Sequence, residues 1–225
     1  VTVYGCTATA GDGGSGGSSL LGGDGGWSGQ PQGGGIYCGP NSRPTFIDCE
    51  VTDCNVVGGN GGDGGDGSFA YWAGGFGGSW SEDDEWLRRG ALGGGVFCDA
   101  SSSPTFIGCS INNNTVNSGL TGIGGFGGST QAEPTINLDI PSCGGGLYVD
   151  ANSVVSIADC NVSGNLTVFK NDLYSGYGGG IYLREVTSAS VTDCNVSENA
   201  SPLGGGLYSM DAEVAVADSN FVSND

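Results

Sequence analysis

An all-β, right-handed parallel β-helix, a solenoid with glycine-rich insertions forming a lateral ridge, is the fold this sequence predicts, and three observations carry the prediction. First, a Gly-Gly-Gly triplet followed by an aliphatic and an aromatic residue recurs as Gly33-Gly34-Gly35-Ile36-Tyr37, Gly93-Gly94-Gly95-Val96-Phe97, Gly144-Gly145-Gly146-Leu147-Tyr148, Gly178-Gly179-Gly180-Ile181-Tyr182 and Gly204-Gly205-Gly206-Leu207-Tyr208. Sixteen residues past the first glycine of each of the first four triplets stands a cysteine (Cys49, Cys109, Cys160, Cys194), and the fifth copy arrives one residue early at Ser219. Such an internal repeat is the signature of a stacked architecture. Second, apolar residues within a copy alternate, which is the pattern of half-buried strands, and no stretch sustains a helical period. Third, the shortest interval, Gly178 to Gly204, is 26 residues, room for three short strands and their bends. The whole chain, 1–225, reads as one domain.

Taken in order, the chain opens on a partial coil, 1–6, where Val3-Tyr4-Gly5-Cys6 matches Val51-Thr52-Asp53-Cys54. An insertion at 11–32 follows, with Gly13-Gly14-Ser15-Gly16-Gly17-Ser18 and Gly22-Gly23-Asp24-Gly25-Gly26-Trp27 repeating every three residues. The repeat core 33–54 alternates through Pro44, Phe46, Cys49 and Val51, and the insertion 58–92 opens with the three-residue repeat Gly58 to Gly67. Core 93–114 and insertion 116–143 lead to core 144–165, which alternates through Val155, Ile157, Cys160 and Val162; cores 178–199 and 204–224 complete the chain. Three residues per turn is the period of a polyproline-II-type helix, which glycine adopts when such helices pack side by side. A flexible Gly/Ser loop has the same composition. The aromatics Trp27, Phe69, Tyr71, Trp72, Phe76, Trp80, Trp86 and Phe126, together with the constant place of the insertions between the Asn position and the next triplet, predict an ordered ridge instead.

Stacked coils put equivalent residues about 4.8 Å apart, so each repeat position becomes a column along the axis. The columns Phe46, Phe106, Ile157, Val191, Val216 and Cys49, Cys109, Cys160, Cys194 are expected to face inward. So is the column Cys54, Asn114, Asn165, Asn199, Asn224, whose amides form a ladder. The triplets mark where the backbone bends or approaches its neighbour too closely for a Cβ.

The pairing of a Gly-Gly-x-aliphatic block with a later apolar-x-x-Asn block (Phe221-Val222-Ser223-Asn224, Val162-Ser163-Gly164-Asn165, Val196-Ser197-Glu198-Asn199, Ile111-Asn112-Asn113-Asn114) resembles the repeats of the chlamydial polymorphic outer-membrane proteins and related bacterial surface β-helices. The resemblance covers most of the chain outside the insertions. It implies a β-helix on a cell surface, and an adhesin carried by an autotransporter barrel.

Five Lys and Arg against 24 Asp and Glu give a formal charge of −19, which excludes charge-driven binding to nucleic acid or anionic membrane. No apolar run is long enough to span a bilayer, so membrane insertion is not expected. Without a signal peptide or an initiator Met, Val1 reads as a processed start. The glycine-rich, lysine-poor composition and the Asn-x-Ser/Thr sequences place the chain outside the cell or at its surface.

Nine cysteines and no histidine make a metal site a poor account, since no Cys-x-x-Cys pair occurs. The repeat columns pair eight of them as axial neighbours: Cys6 with Cys54, Cys38 with Cys98, Cys49 with Cys109 and Cys160 with Cys194. Strand spacing brings such pairs within disulfide reach, although their Cβ vectors are parallel; a buried free-thiol ladder is the alternative. Cys143 is left over.

Asn-x-Ser/Thr occurs at Asn113, Asn161, Asn165, Asn195 and Asn199. Asn165 and Asn199 belong to the inward column, so Asn113, Asn161 and Asn195 are the candidates for covalent glycans. Calcium is a candidate ligand for Asp63, Asp66 and the Glu82-Asp83-Asp84-Glu85 cluster, although the β-roll calcium motif lacks its aliphatic position here; a solvated acidic loop is the simpler reading. Otherwise no cofactor is expected. β-Helices also include carbohydrate-active enzymes, for which the column Asp48, Asp159, Asp193, Asp218, broken by Gly108, is the candidate. A bend position served by a short polar residue that caps backbone amides is the simpler account. The basic residues Arg43, Arg88, Arg89, Lys170 and Arg184 fall in unrelated positions, so no enzyme is expected.

Val1 to Cys6 and Ser219 to Asp225 fall at the same phase of the repeat, and neither end carries a capping helix. Two uncapped coils in phase are complementary, and their stacking propagates rather than closes. The expected function is a structural subunit of an extracellular fibre whose partner is a second copy of itself, stacked head to tail. An adhesin passenger domain and a carbohydrate-active β-helix enzyme are the alternatives, as is a segment of one longer stack.

Overall fold

The computed structural model describes residues 1–19, 22–67, 90–123, 125, 141–168 and 176–225. Among these the chain is all-β, with no helix, and its strands pair in parallel as coils of a solenoid. Thr2–Tyr4, Glu50–Thr52, Ser110–Asn112, Asn161–Ser163, Asn195–Ser197 and Asn220–Val222 form one sheet in that order. Thr45–Ile47, Thr105–Ile107, Val154–Ala158, Ser188–Thr192 and Val214–Ala217 form a second; Ile36–Cys38, Val96–Cys98, Leu147–Val149, Ile181–Arg184 and Leu207–Met210 form a third.

Those three sheets are the three strands per coil that the repeat length predicts. Two smaller sheets are added in the coils that carry insertions. Thr7–Thr9, Asn55–Val57, Thr115–Asn117 and Leu166–Val168 form one, and Ala91–Leu92, Ser142–Cys143 and Gly176–Tyr177 the other. They flank the insertions, so Ala91, Leu92, Val116, Asn117, Ser142 and Cys143 belong to strands rather than loop. Strands of two or three residues are too short to show alternation in sequence.

The corners of the coil explain much of the composition. Four columns of residues hold φ between 47° and 67°: Asn41, Ser101, Asn152, Glu185, Asp211; Asp48, Gly108, Asp159, Asp193, Asp218; Gly5, Asp53, Asn113, Gly164, Glu198, Ser223; and the first glycine of each triplet. Left-handed backbone costs an L-residue about 1–2 kcal/mol, least for Gly, Asn and Asp. The remaining triplet glycines serve close approach. A Cβ on Gly94 would run into the carbonyl of Gly145 on the next coil, and one on Gly95 would sit 2.8 Å from Asn114 Nδ2.

The interior is a continuous column of buried side chains, including Val51, Phe106, Ile111, Ile157, Val162, Ile181, Val191 and Val196. A second buried cluster, Leu92, Phe97, Cys143, Tyr148 and Tyr182, lies on the other face of the strands that follow the triplets.

The three-residue glycine repeats are hydrogen-bonded to one another at three-residue intervals. Gly13 and Gly16 donate to Asn60 and Asp63 carbonyls; Gly23, Gly26 and Gly29 donate to Gly17, Gly14 and Gly11; Gly61 and Gly64 donate to Leu120 and Ile123. Gly62 and Gly65 tie two of these runs together through the carbonyls of Gly26 and Gly23. A freely flexible loop has no such pattern. Trp27 is 58% exposed rather than buried in the ridge as expected. Phe69, Tyr71, Trp72, Phe76, Trp80, Trp86 and Phe126 lie outside the described residues.

Candidate functional site

The features that set this surface apart are ladders, and each begins in a repeat position. The asparagine column faces inward as expected. The side-chain oxygens of Asn114, Asn165, Asn199 and Asn224 accept the backbone N–H of Cys54, Asn114, Asn165 and Asn199 at 3.0–3.1 Å. Their Nδ2 groups donate to the carbonyls of Val51, Ile111, Val162 and Val196. Every rung therefore satisfies a backbone N–H that a corner would otherwise leave buried and unpaired, and ties it to a carbonyl in the middle of the preceding strand.

The cysteines sit where the columns place them, and all nine are thiols in this structure. Cys38 and Cys98 are paired in register. Cys49, Cys109, Cys160 and Cys194 form one uninterrupted column, with Cys160 Sγ accepting the Cys109 N–H at 3.3 Å and Cys194 Sγ accepting the Cys160 N–H at 3.5 Å. The hydrogen bond from the Cys160 thiol draws Cys194 down to about 7, while the same bond and burial hold Cys160 well up. Cys143, left over in the sequence, is fully buried beside Leu92 and Tyr177 in its sheet, and burial pushes its thiol far up.

Of the glycan candidates, Asn113 and Asn195 are exposed and Asn161 is half-buried, while Asn165 and Asn199 are fully buried. Asn161 and Asn195 stand one coil apart on the outer face, in register. Asn195 Nδ2 donates to Asn161 Oδ1 at 2.9 Å and to Ser197 Oγ at 3.1 Å. Asn113 occupies a corner, at φ 54°.

The aspartate column Asp48, Asp159, Asp193, Asp218 corrects an expectation. Among the described residues its carboxylates cap no backbone amide. What the position requires is left-handed backbone, which Asp tolerates and which Gly108 supplies in the second coil. Asp63, by contrast, does bond the backbone. Its Oδ1 accepts the Ile123 N–H at 2.9 Å, as Asn60 Oδ1 accepts that of Leu120 at 3.1 Å. No group of three or more acidic or cysteine side chains among the described residues could hold a metal ion. The Glu82–Glu85 cluster, Arg88, Arg89 and Lys170 lie outside the described residues.

Two relationships were missed in the sequence. The aromatics after the triplets form an outer stack, Tyr37, Phe97, Tyr148, Tyr182 and Tyr208, with successive ring centroids 5.5, 5.1, 5.1 and 5.4 Å apart. Beside it the buried Arg184 pairs with Asp150, Nε donating at 2.8 Å. Arg184 is therefore not in an unrelated position: Asp99, Asp150 and Arg184 all stand six residues past their triplet's first glycine. Tyr37 OH donates to Asp99 Oδ2 at 2.7 Å, and that bond, with burial, raises Tyr37 to about 12.

At the lower face Tyr37 is 50% exposed and Val3, Ile36 and Phe46 are only partly covered; at the upper face the inward-column residues Val216 and Phe221 are 49% and 42% exposed. The upper face carries a shallow, open recess lined by Leu207, Val216, Phe221 and Asn224. Comparison with protein-family models, with characterised proteins and with solved structures finds no match to this chain.

Proposed function

We propose that this chain is a structural subunit of an extracellular surface fibre, a right-handed β-helix whose coils stack head to tail on those of a second copy. The observation that supports the reading is that the parallel coils stack in register throughout the described residues, each repeat position meeting its own kind, with apolar interior residues (Ile36 and Phe46 at one face, Val216 and Phe221 at the other) only partly covered at the two faces. An apolar face with unpaired strand edges is a site of further pairing. A right-handed coil follows the general chirality of parallel crossover connections. The hydrogen-bonded glycine runs support a ridge beside the coil that stiffens it. The resemblance to bacterial surface repeats supports the location, and the reading assigns no catalytic role to the aspartate column, whose residues serve corners. Glycans would be carried by the outward Asn113, Asn161 and Asn195.

The test is electron microscopy and sedimentation of the purified chain. Unbranched rods whose length grows with concentration are expected, with denatured subunits of 22.3 kDa plus any glycan. A monodisperse monomer at high concentration overturns the reading. So does a much longer native chain whose own coils cover both faces.

A further inference from the structure

We infer that the chain carries its glycan at Asn113, and that an outer amide ladder withholds Asn161 and Asn195 from the same modification. The inference rests on the glycan reading above and narrows it from three positions to one. All three asparagines stand in Asn-x-Ser/Thr sequences on the outer surface, so the sequence ranks them equally. The folded surroundings of their amides do not. Attachment joins Asn Nδ2 to the anomeric carbon of a sugar that arrives as a glycosyl diphosphate. The bond from that carbon to the diphosphate oxygen breaks, and one of the two amide protons leaves with the diphosphate. A receptive amide therefore has an N–H that the fold does not hold, and open space beside it for a sugar ring.

Asn161 and Asn195 lack the free N–H. Asn161 Nδ2 donates to Asn112 Oδ1 at 3.0 Å and to Ser163 Oγ at 3.2 Å, which uses both of its hydrogens. Asn195 Nδ2 is committed in the same way, to Asn161 Oδ1 and Ser197 Oγ. Ser163 adds to the ladder from below, its Oγ donating to Asn112 Oδ1 at 2.9 Å and its N–H to the same oxygen at 3.2 Å. A sugar on either asparagine takes the place of one of these hydrogens and breaks a network that joins three successive strands, at a cost to the fold for each bond lost. The two asparagines are also partners in register. A strand spacing of about 4.8 Å is narrower than a substituted pyranose ring, so sugars on both would collide.

Asn113 meets both requirements. It is exposed at a corner between Ser110–Asn112 and Thr115–Asn117, and its Nδ2 gives no hydrogen bond among the described residues. Its φ of 54° is a conformation Asn tolerates. The corner position of the next coil is Gly164, where a Cβ would run into Asn113 Oδ1. The missing side chain is what lets the Asn113 amide lean over that coil, and it leaves the space beside the amide clear. The ladder that ties Asn161 and Asn195 exists only once coils have stacked, so the selection acts on the folded chain.

The test is glycopeptide mass spectrometry of the native chain, with the sugar assigned to its asparagine by fragmentation. Added mass is expected at Asn113 and none at Asn161 or Asn195. Sugar at Asn161 or Asn195 overturns the inference and leaves the glycan reading in place; no sugar at any of the three overturns both. Two variants made in the source organism extend the test. Thr115→Val keeps Asn113 and the shape of the strand residue, and should abolish the added mass; mass that persists at position 113 overturns the assignment. Asn112→Ala removes the acceptor of the Asn161 amide and leaves Asn161-Val162-Ser163 untouched. Asn161 should then go from bare to modified in a measurable fraction of chains. An Asn161 that stays bare in that variant overturns the role given to the ladder.

Discussion

Asn165 Oδ1 receives two hydrogen bonds from Asn114, one from its backbone N–H and one from its Nδ2, both at 3.0 Å. The same amide donates to the Ile111 carbonyl at 2.8 Å, so one side chain satisfies two backbone groups of the coil beside it. Replacing Asn165 with Ala leaves the Asn114 N–H buried and unpaired and removes one bond to the Ile111 carbonyl, which lies mid-strand. The expected cost is roughly 2 kcal/mol, that of one unpaired donor and one lost bond. Chemical denaturation of Asn165→Ala checks it; a loss below about 1 kcal/mol would show that the ladder is incidental.

Glycine substitutions should separate tight positions from open ones. A methyl on Gly94 meets the Gly145 carbonyl and one on Gly62 meets the Gly14 carbonyl, whereas nothing lies within 4 Å of one on Gly14. Gly94→Ala and Gly62→Ala should therefore lower stability by about 2 kcal/mol or more, as backbone has to move. Gly14→Ala should stay within about 0.5 kcal/mol. Thermal melts of the three variants give the order, and an unaffected Gly62→Ala would show that the glycine runs are not packed as described.

Tyr37 makes a prediction for alkaline pH. Its ionisation is raised to about 12 by the hydrogen bond it gives Asp99, then by burial. A group raised in the folded state stabilises fully below its unfolded value, near 10, and that contribution is lost as pH climbs through 12. Asp99→Asn removes the charge, so the Tyr37 ionisation should fall towards 10. The ultraviolet phenolate difference between Asp99→Asn and Asp99→Asn with Tyr37→Phe reports it; no difference near about pH 10 to 11 would count against the contact.

The thiols should react by column. Oxidation is expected to join Cys6 to Cys54, Cys38 to Cys98, and neighbours within the run Cys49, Cys109, Cys160 and Cys194. Cys143 should stay free, because its neighbours in register are Leu92 and Tyr177. Non-reducing peptide mapping decides, and a bridge to Cys143 would contradict the register.

Much of this was legible in the sequence because a solenoid repeats its environment. When one coil stacks on the next, every repeat position meets its own kind, so the Phe46, Cys49 and Asn114 columns could be read by alignment alone. The corner glycines and aspartates were visible too, but their reason was not: Asp159 and Gly108 share left-handed backbone rather than a capping bond. Sequence alone thus determined the parallel strands, the inward columns and the common phase of the two ends. Only the tertiary structure decided the two short sheets beside the insertions, the pairing of Arg184 with Asp150 and the stack from Tyr37 to Tyr208. Those depend on which outer faces the chain folds back upon, and a two-residue strand such as Ala91–Leu92 carries no periodicity to announce it.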